Sequence, residues 1–537
     1  MSARSRSFFL SLLLFFIGFA SASRQLILAA DNPNATVNGQ PRVLNSPPRL
    51  QGGRLLVPLV ETLTLAGLPA VSVHDAPLEE TRASSFNGAL HVDVRWLASK
   101  TGSTLVLSTD GRNATLSTPQ APALDPGAPQ ARFAPEKTVY APGEKINMVD
   151  YSFDPDGQTI SKRTWTGRQD AFFTPGEYLV SLQVTNAQGK VSAPFSRMVR
   201  VQGAPVATPL EFSLRHTPLS EPFADPLVLN YPSLTARSTV EANFPLLFSD
   251  SPEKPTSAGV LYRDSVVGRA RLLAYHVNGL ASAARVYVVI RNLEGRAVRV
   301  RTLRFGETAP SRVEGTLGQV ALMDFFTSQE GAAQLLPAGQ LAVLYASPRL
   351  TPGSGVSLLQ DVESDGRIEV SFVILPEGVA STPEALASLV ALPLDGVHQR
   401  GTFPGAVRRL QVALGALPAR LNIGDGQHDQ AIPGVDALTG TPMRLAGNYG
   451  VLYEVEVTGA ANTVMALSPR GGGYRGALQL FDGPASALMR VPRSGVLTKP
   501  DVPLLLWRTQ TERLNFSFVP ANGSNLPVSL VFYRLNR

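Results

Sequence analysis

Turn-forming residues recur along the whole chain and leave little room for long helices. The 537 residues include 46 glycines and 43 prolines. Proline interrupts helices, and glycine supplies the backbone conformations of tight turns. Between them lie stretches such as Arg285–Ile290 and Arg367–Ile374, in which apolar residues are nearly continuous or alternate with polar ones. Such patterns are typical of strands, so we expect a mainly β protein.

Length and cysteine content constrain how such a protein is held together. A single hydrophobic core stops growing at roughly 250–300 residues, so we expect several domains. The sequence contains no cysteine, which excludes disulfides, thiolate metal sites and a thiol nucleophile. Each domain must therefore be stabilised by its own apolar core and by the hydrogen bonds of its sheets.

The first 22 residues have the order of a secretory signal peptide. Arg4 and Arg6 precede a short apolar stretch, Phe8–Phe19, and the small residues of Ala20–Ala22 follow it. This order predicts export and cleavage after Ala22. A retained membrane anchor is the alternative, but the apolar stretch is shorter than the ~20 residues of a membrane span. We expect an extracytoplasmic protein, secreted or associated with the cell envelope or cell surface, with no transmembrane span after cleavage.

The predicted cleavage has a direct test. In a bacterial host that exports the chain, the intact mass of the mature protein should correspond to residues 23–537. Replacing Ala22 with Tyr should block processing, because the cleavage pocket accepts only small residues at that position. A cytosolic protein that keeps Met1 would contradict the prediction of export.

The charge of the chain does not favour a nucleic-acid partner. The formal net charge is +6, and it falls to +4 when Arg4 and Arg6 leave with the leader. The sequence has no run of lysines and arginines interleaved with aromatic residues, the pattern that binds a phosphate backbone. A weak attraction to anionic envelope polymers stays open, because basic surfaces favour such partners without specific contacts.

Two imperfect copies of one pattern occupy residues 26–118. The first has a Gly-Gly-Arg-Leu-Leu-Val-Pro-Leu stretch, a helix-like segment at Val60–Ala66 and a stop at Gly67, and the second has Val92–Ala98 followed by Gly102. Glycine there ends a helix in the left-handed conformation. The pattern resembles the copper amine oxidase-like N-terminal domain, also called a stalk domain. The resemblance implies a small α+β module that has no copper or redox chemistry of its own.

The chemistry of an amine oxidase is not expected in the rest of the chain. Such an enzyme needs three copper-binding histidines, two of them closely spaced, and an Asn-Tyr-Asp/Glu motif. The six histidines form no His-x-His pair, and Asn448-Tyr449-Gly450 lacks the acid. We therefore expect no cofactor.

A Pro/Ala-rich stretch at 119–130 predicts an extended linker, and residues 131–202 follow with a different pattern. Tyr151–Gly157 contains Phe-Asp-Pro-Asp-Gly, Trp165 lies within a predicted strand, and a Thr-Pro-Gly-Glu-Tyr stretch leads into Leu179–Val184. This order resembles PKD domains. The resemblance implies an immunoglobulin-like sandwich of the kind found in bacterial surface proteins.

Residues 205–392 and 393–537 match no family pattern, but their sequence still predicts strands. We expect two further β-rich domains there, each sandwich-like, because each segment has the usual size of one domain. The tetrapeptide Gly-Val-Leu-Tyr opens a strand-rich stretch in both. One helix is predicted, over Ser381–Leu392, with Thr382 and the following proline as its starting signal.

One polar loop in the C-terminal half contains the candidate ligand contacts. Residues 424–429 bring together Asp425, His428 and Asp429, and two carboxylates with an imidazole are able to ligate a metal or hold a sugar hydroxyl. The alternative is a solvent-exposed turn, because Asp and Gly are turn formers. We keep the three residues as candidate ligand contacts and predict no catalytic or metal site.

Two other motifs are interpreted as turns. Asp361–Gly366 has acids at alternate positions, as calcium loops do, but Phe372 stands where such a loop needs a bidentate acid. We predict a hairpin turn with solvated acids. Gly471–Gly476 matches Gly-x-Gly-x-x-Gly, but Ala477–Phe481 after it has strand character, whereas a dinucleotide site requires a helix. We therefore predict a flexible hairpin.

These observations favour a non-catalytic cell-envelope or surface protein. Its modules would position the C-terminal half for association with a cell-wall polymer, a polysaccharide or an envelope protein. The alternative is a secreted hydrolytic, carbohydrate-active enzyme with an active site in 205–537, whose two acids are brought together only by folding.

Overall fold

The computed structural model describes residues 24–68, 71, 73, 78–118 and 127–535. The predicted signal peptide at 1–22 and the 119–126 part of the predicted linker lie outside the described residues. Contacts between residues divide the chain into two units, 1–212 and 213–537. Strands far outnumber helices in both, which confirms the predicted mainly β, multi-domain fold class.

The first unit consists of short strands and three short helices, and helix α4 (Pro209–His216) follows them in the chain. The helices before it are α1 (Leu59–Ala66), α2 (Leu78–Thr81) and α3 (Val94–Thr101). In chain order the strands are β1 (Arg24–Ala29), β2 (Asn34–Val37), β3 (Gln40–Val43), β4 (Arg49–Gln51), β5 (Arg54–Pro58), β6 (Ser84–Phe86), β7 (Ala89–Asp93), β8 (Thr104–Leu107), β9 (Asn113–Thr118), β10 (Phe133–Pro135), β11 (Val139–Tyr140), β12 (Met148–Asp150), β13 (Ile160–Thr166), β14 (Gly176–Asn186) and β15 (Phe195–Val201).

Residues 24–118 pair into two small sheets, in the orders β3-β2-β1-β9-β8 and β4-β5-β7-β6. Helices α1 and α3 bury one face each, with Leu63 and Leu97 in the shared core. Both helices end at a glycine in the left-handed region, with φ of 67° at Gly67 and 65° at Gly102. The two predicted helix stops are therefore confirmed.

Residues 130–201 form a separate pair of sheets, β10-β12 and β11-β15-β14-β13. Trp165 on β13 is half-buried and lies with its ring 4.8 Å from that of Phe133, edge to face. The tight turn predicted after Phe153 is present, and Asp154 accepts the backbone N–H of Asp156 at 2.9 Å and the Asn186 amide at 2.9 Å. The Asp154 carboxylate is buried, and its hydrogen bonds stabilise the turn around it.

The second unit has long central strands. Its helices after α4 are α5 (Glu314–Thr327) and α6 (Pro383–Ala387), with 3-10 turns at Val228–Asn230 and Ala446–Asn448. The strands are β16 (Arg237–Val240), β17 (Leu246–Ser249), β18 (Gly259–Val277), β19 (Ala284–Asn292), β20 (Val298–Ser311), β21 (Gln334–Leu336), β22 (Leu341–Ala346), β23 (Gly355–Pro376), β24 (Arg400–Phe403), β25 (Val407–Ala413), β26 (Ala419–Ile423), β27 (Ile432–Asp436), β28 (Thr441–Leu445), β29 (Leu452–Thr458), β30 (Thr463–Pro469), β31 (Gly476–Asp482), β32 (Ala485–Val491), β33 (Leu504–Thr509), β34 (Arg513–Phe518) and β35 (Val528–Arg534).

Three sheets make up this unit, and we name them by position. The central sheet follows the order β21-β20-β23-β18-β17-β24-β27-β28, with β19 and β22 attached beside β23. The outer pair consists of a six-stranded sheet, β16-β25-β29-β34-β31-β32, and a four-stranded sheet, β26-β35-β30-β33. Inward side chains of both outer sheets, such as Val455 and Leu530, share one core. The outer pair is therefore a β-sandwich.

The predicted boundary between 205–392 and 393–537 does not separate the sheets. Strand β16 precedes it but pairs with β25 of the sandwich, and β17 pairs with β24, which follows it. The chain thus exchanges strands across the boundary, and contacts group 213–537 as one unit. The sequence pattern locates strands, but it does not say which strands pair, because backbone hydrogen bonds carry no sequence signature.

The helix content of the second unit differs from the prediction of one helix over Ser381–Leu392. Helix α6 does begin there, with Thr382 accepting the N–H of Ala385 at 3.3 Å, but it ends at Ala387. The longer α5 was not predicted. It packs on β20 so closely that a Cβ on Gly306 would lie 2.0 Å from the Ala321 carbonyl oxygen, and only the missing side chain of glycine allows this approach.

The hairpin predicted at Asp361–Gly366 is wrong. The segment lies inside β23, a continuous 22-residue strand, and Asp361 is buried rather than solvated. Its carboxylate accepts Nε of Arg271 at 2.6 Å and Nη2 at 2.8 Å from the facing position on β18. A charged pair across two strands therefore takes the place of the expected turn.

Arg271 also joins the central sheet to the sandwich. Its Nη1 donates to the carbonyl of Ala406 at 2.9 Å and to that of Gly450 at 3.0 Å. Ala406 directly precedes β25, and Gly450 lies just before β29. One fully buried guanidinium thus holds two sandwich strands against the sheet that carries Asp361.

Removing one partner of this pair should destabilise the second unit strongly. Asp361→Asn leaves a buried guanidinium without its counter-charge, which typically costs about 3–5 kcal/mol. Urea unfolding should therefore show a large fall in midpoint. The matched control is Glu377→Gln, which breaks the exposed pair with Arg349 and should change the midpoint little. Equal midpoints for both variants would contradict the role assigned to Arg271.

Candidate functional site

The candidate loop at 424–430 connects β26 to β27 at one end of the sandwich. The Asp425 carboxylate accepts the backbone N–H of Gln427 at 3.0 Å, of His428 at 2.9 Å and of Asp429 at 2.9 Å. It also accepts Nδ1 of His428 at 2.8 Å. Asp425 therefore fixes the shape of the loop by a local side-chain turn, which is a common role of Asp in such positions.

Electrostatics keep Asp425 ionised. Burial raises its pKa, but the backbone N–H of Asp429 and the hydrogen bond from His428 outweigh burial and hold the pKa below its ordinary value. The His428 ring is about half exposed, with a side-chain exposure of 49%. Of the two partners, only the imidazole is presented to solvent.

Asp429 points into the sandwich instead. Its carboxylate pairs with Nη1 of Arg408 and accepts the N–H of Gly424 at 2.7 Å, Nδ2 of Asn448 at 3.1 Å and the hydroxyl of Tyr453 at 2.6 Å. Burial and the neighbouring Asp429 charge raise the pKa of Tyr453 well above its ordinary value, so its hydroxyl stays a donor. Asp429 links four segments of the chain.

The structure therefore brings the three sequence-predicted residues into one loop but gives them different roles. Asp425 and Asp429 are occupied by protein donors, and His428 lies at the surface. Among the described residues, no group of three or more His, Asp and Glu side chains is arranged to hold a metal ion. The role of these residues in ligand contact stays a prediction.

A pocket of about 240 Å³ lies next to this loop. It opens between the edge of the six-stranded sheet, at Ser238 on β16, and the edge of the four-stranded sheet, at Asn422 on β26. Its polar lining includes His428, Arg408 and Gln430, and its apolar lining is Leu234, Ala236, Leu410 and Leu421. The pocket thus combines hydrogen-bonding groups with apolar side chains, and small-ligand sites use both kinds of contact.

The segment before β16 closes this side of the sandwich. The N–H of Leu234 donates to the Arg420 carbonyl at 2.7 Å, and the N–H of Arg420 donates to that of Pro232 at 2.9 Å. A few residues later, β16 pairs with β25 in the opposite sheet. The segment thus crosses from one sheet edge to the other and forms one wall of the pocket, which no local sequence pattern indicates.

An acidic cluster that the sequence analysis did not identify lies at the end of β17. His398 bridges two carboxylates, with Nδ1 2.8 Å from Asp395 Oδ2 and Nε2 3.0 Å from Glu253 Oε2. Burial raises the pKa of Glu253, and burial together with the charges of Glu253 and Asp395 raises the pKa of Asp250 well above its ordinary value. Burial also opposes ionisation of Asp395, but amide donors including the Glu253 N–H lower its pKa. The pKa values of the acids in this cluster are therefore shifted in opposite directions.

A serine–histidine pair lies beside this cluster and is structural. Ser249 Oγ is 2.9 Å from Nε2 of His276, whose Nδ1 lies 3.0 Å from the Pro252 carbonyl oxygen and donates to it. Burial lowers the pKa of His276 to about 4, so the ring is neutral at pH 7. Both side chains are fully buried, and no substrate reaches the serine hydroxyl in this arrangement.

The glycine-rich motif does not form a dinucleotide site. Residues 471–473 follow β30, and the chain then enters strand β31 at Gly476 instead of a helix. A phosphate-binding loop of that class needs a helix N-terminus at this point. The motif is a loop and not a dinucleotide site, as predicted. It is not the predicted hairpin, because β30 and β31 belong to different sheets of the sandwich.

Comparisons with known proteins give no family. No protein-family model matches the chain, and no curated protein matches it. Among solved structures, it is similar to a carbohydrate-binding module of the β-sandwich superfamily, at 13% identity over 46% of this chain and 98% of that one, with a TM-score of 0.13. A Paenibacillus xanthan lyase matches at 10% identity over 78% and 41%, with a TM-score of 0.12, and tomato vicilin at 9% over 53% and 84%, with a TM-score of 0.11. Likenesses this weak carry no argument about this chain.

Replacing Asp429 should lower the stability of the chain far more than replacing His428. Asp429→Asn removes the charge that compensates buried Arg408 and should destabilise the chain by about 3 kcal/mol or more. His428→Asn removes an exposed ring and should have a small effect. Thermal unfolding measures both. A similar loss of stability in the two variants would contradict the inward role of Asp429.

Proposed function

We propose that this chain is an exported, non-catalytic protein of the cell envelope or cell surface. In this proposal its second unit associates with an envelope polymer, such as cell-wall polymer or polysaccharide, at the side of the sandwich where the segment at 232–240 and the loop at 424–430 line a pocket. The N-terminal stalk-type and PKD-like modules act as spacers that carry this unit. The pocket between β16 and β26, with its mixed polar and apolar lining, is the observation that carries the proposal.

The chemistry of the pocket suits a sugar unit. A sugar ring presents apolar C–H faces and hydroxyl edges. The pocket lining supplies leucine side chains for the first, and Ser238, Asn422 and Gln430 for the second. Asp425 and Asp429 supply rigidity, because their oxygens already accept hydrogen bonds from the protein. Polar groups that are already held in place lose less conformational entropy when a ligand binds.

Polymer binding by a modular protein does not need high affinity at each site. Several weak contacts on one chain add through effective concentration when the partner is itself repetitive. None of the helices in the described residues is long and apolar enough to cross a membrane. In the proposal, association with the polymer is what retains the exported chain at the envelope.

The hydrolytic alternative is supported by one observation, the acidic cluster around Asp250 and Glu253. Glycosidase sites typically contain two acids whose pKa values are shifted apart by their surroundings. Here the pKa of Asp250 is raised and that of Asp395 is lowered. Release of reducing sugars from a polysaccharide by the chain, abolished by Asp250→Asn, would favour this alternative over the binding function.

The proposal is tested by co-sedimentation of the chain without residues 1–22 with insoluble cell-wall polymer and insoluble polysaccharides. Ser238→Trp places a large ring in the pocket from an exposed strand position. It should weaken retention about ten-fold, equivalent to ~1.4 kcal/mol. Thr239→Trp is the matched control, because its side chain leaves the opposite face of the same strand. Failure of the unaltered chain to sediment with any polymer would overturn the proposal.

A further inference from the structure

Two arginines stand together on the four-stranded sheet of the sandwich without an acidic partner. Arg420 lies on edge strand β26, and Arg470 directly follows β30. Asn422, two positions after Arg420 on the same face of the strand, has its Oδ1 3.4 Å from Nη1 of Arg470. Within the part of the chain that the structure describes, no carboxylate oxygen lies within ion-pairing distance of either guanidinium.

Several other arginines of the second unit are compensated by acids. Arg269 and Arg409 share the carboxylate of Glu241, each at 2.9 Å, and Arg271 has Asp361. Arg420 has neutral partners instead: its Nε donates to the Tyr231 carbonyl at 2.9 Å. Burying a cation without a counter-charge is costly.

Arg420 also carries an unused donor. Arg420 is only 8% exposed, and its Nη1 is buried without a hydrogen-bond partner among the described residues. Burial, and secondarily the positive charge of Arg470, lower the pKa of the Arg420 guanidinium. A buried donor left unpaired costs about 1–3 kcal/mol, more when it is charged, so the fold holds this pair at a cost that a bound anion would offset.

The other side chains at this position are neutral hydrogen-bonding groups. Asn422 Nδ2 donates to Ser233 Oγ at 3.0 Å, and Asn422 Oδ1 accepts the hydroxyl of Ser529 at 2.7 Å. These bonds fix the orientation of the amide that contacts Arg470. Arg470 is exposed, so the pair combines a buried, oriented cation with one that a ligand reaches from solvent.

We propose that Arg420 and Arg470 form an oxyanion-binding site that takes a carboxylate or phosphate group, with the anionic groups of an acidic envelope polymer as its natural ligand. The planar fork of a guanidinium matches the two oxygens of a carboxylate or phosphate. Two guanidiniums with no internal acid supply the charge that such a group needs. Arg470 makes the first contact, and Arg420 supplies the buried donor.

This inference rests on the proposed function for the source of the anion, because it names the class of polymer that the sandwich edge prefers. Asn422 belongs both to the lining of the sugar-sized pocket and to the arginine pair. A polymer whose sugar units carry acidic groups would therefore occupy both features at once. A neutral polymer would use the pocket alone.

The test measures binding of three probes to the chain without residues 1–22 by calorimetric titration at low salt. The probes are inorganic phosphate, soluble polygalacturonate and neutral dextran. Arg470→Gln should weaken binding of phosphate and polygalacturonate about ten-fold, the ~1.4 kcal/mol expected for one charge-assisted hydrogen bond. Affinity for both should fall as salt is added, and dextran should be unaffected by the variant.

Arg444→Gln is the matched control, because Arg444 is another exposed arginine of the same unit, on β28, and its loss changes the net charge equally. Arg420→Lys keeps the buried charge but loses the fork, and should give an intermediate affinity. Equal phosphate and polygalacturonate affinities for Arg470→Gln and Arg444→Gln would overturn the site.

The outcomes separate this inference from the proposed function. If the unaltered chain sediments with polymers and Arg470→Gln binds all three probes as the unaltered chain does, the arginine site fails and polymer binding stands. If phosphate binds through Arg470 while no polymer is retained, the oxyanion site stands, its assignment to a polymer is wrong, and the proposed function fails.

Discussion

The buried pair of Arg271 and Asp361 is the interaction on which the second unit depends. It crosses two neighbouring strands of the central sheet, and the same guanidinium reaches the carbonyls of Ala406 and Gly450 at the entry to two sandwich strands. A buried ion pair is not in itself a large source of stability, because desolvation offsets much of its attraction. Its value lies in geometry: only one register of β18, β23, β25 and β29 satisfies all of these hydrogen bonds.

That constraint explains how a chain without disulfides keeps its sandwich edge in place. The segment at 232–240 crosses between the two sandwich sheets, and its position determines the wall of the pocket beside the 424–430 loop. Asp429 then ties Arg408, Asn448 and Tyr453 behind that loop. The candidate site is therefore a product of long-range pairing, whereas the shape of its loop is set locally, by hydrogen bonds to Asp425 and Asp429.

Local features of the fold were predictable from the sequence, and long-range ones were not. Glycine after an apolar helical stretch identified the ends of α1 and α3, because the left-handed conformation excludes most other residues. The turn predicted at Asp361–Gly366 is wrong for this reason. The sequence shows that Asp361 is charged, but it does not show that Arg271, 90 positions away, lies opposite it on the neighbouring strand. The candidate loop was found from its composition, yet its division into an inward acid and an exposed imidazole depends on Arg408 and Tyr453. The Arg420 and Arg470 pair has no sequence signal, since the two residues come close only because β26 and β30 both pair with β35.

We propose that the sandwich edge is the binding surface and that the acids near Asp250 are structural. An experimentally determined structure of the chain with a bound acidic oligosaccharide tests this most directly. The account predicts an intact oligosaccharide along the edge between β16 and β26, with an acidic group on Arg470 and Arg420. A cleaved oligosaccharide held at Asp250 and Glu253, with the sandwich edge empty, would contradict it.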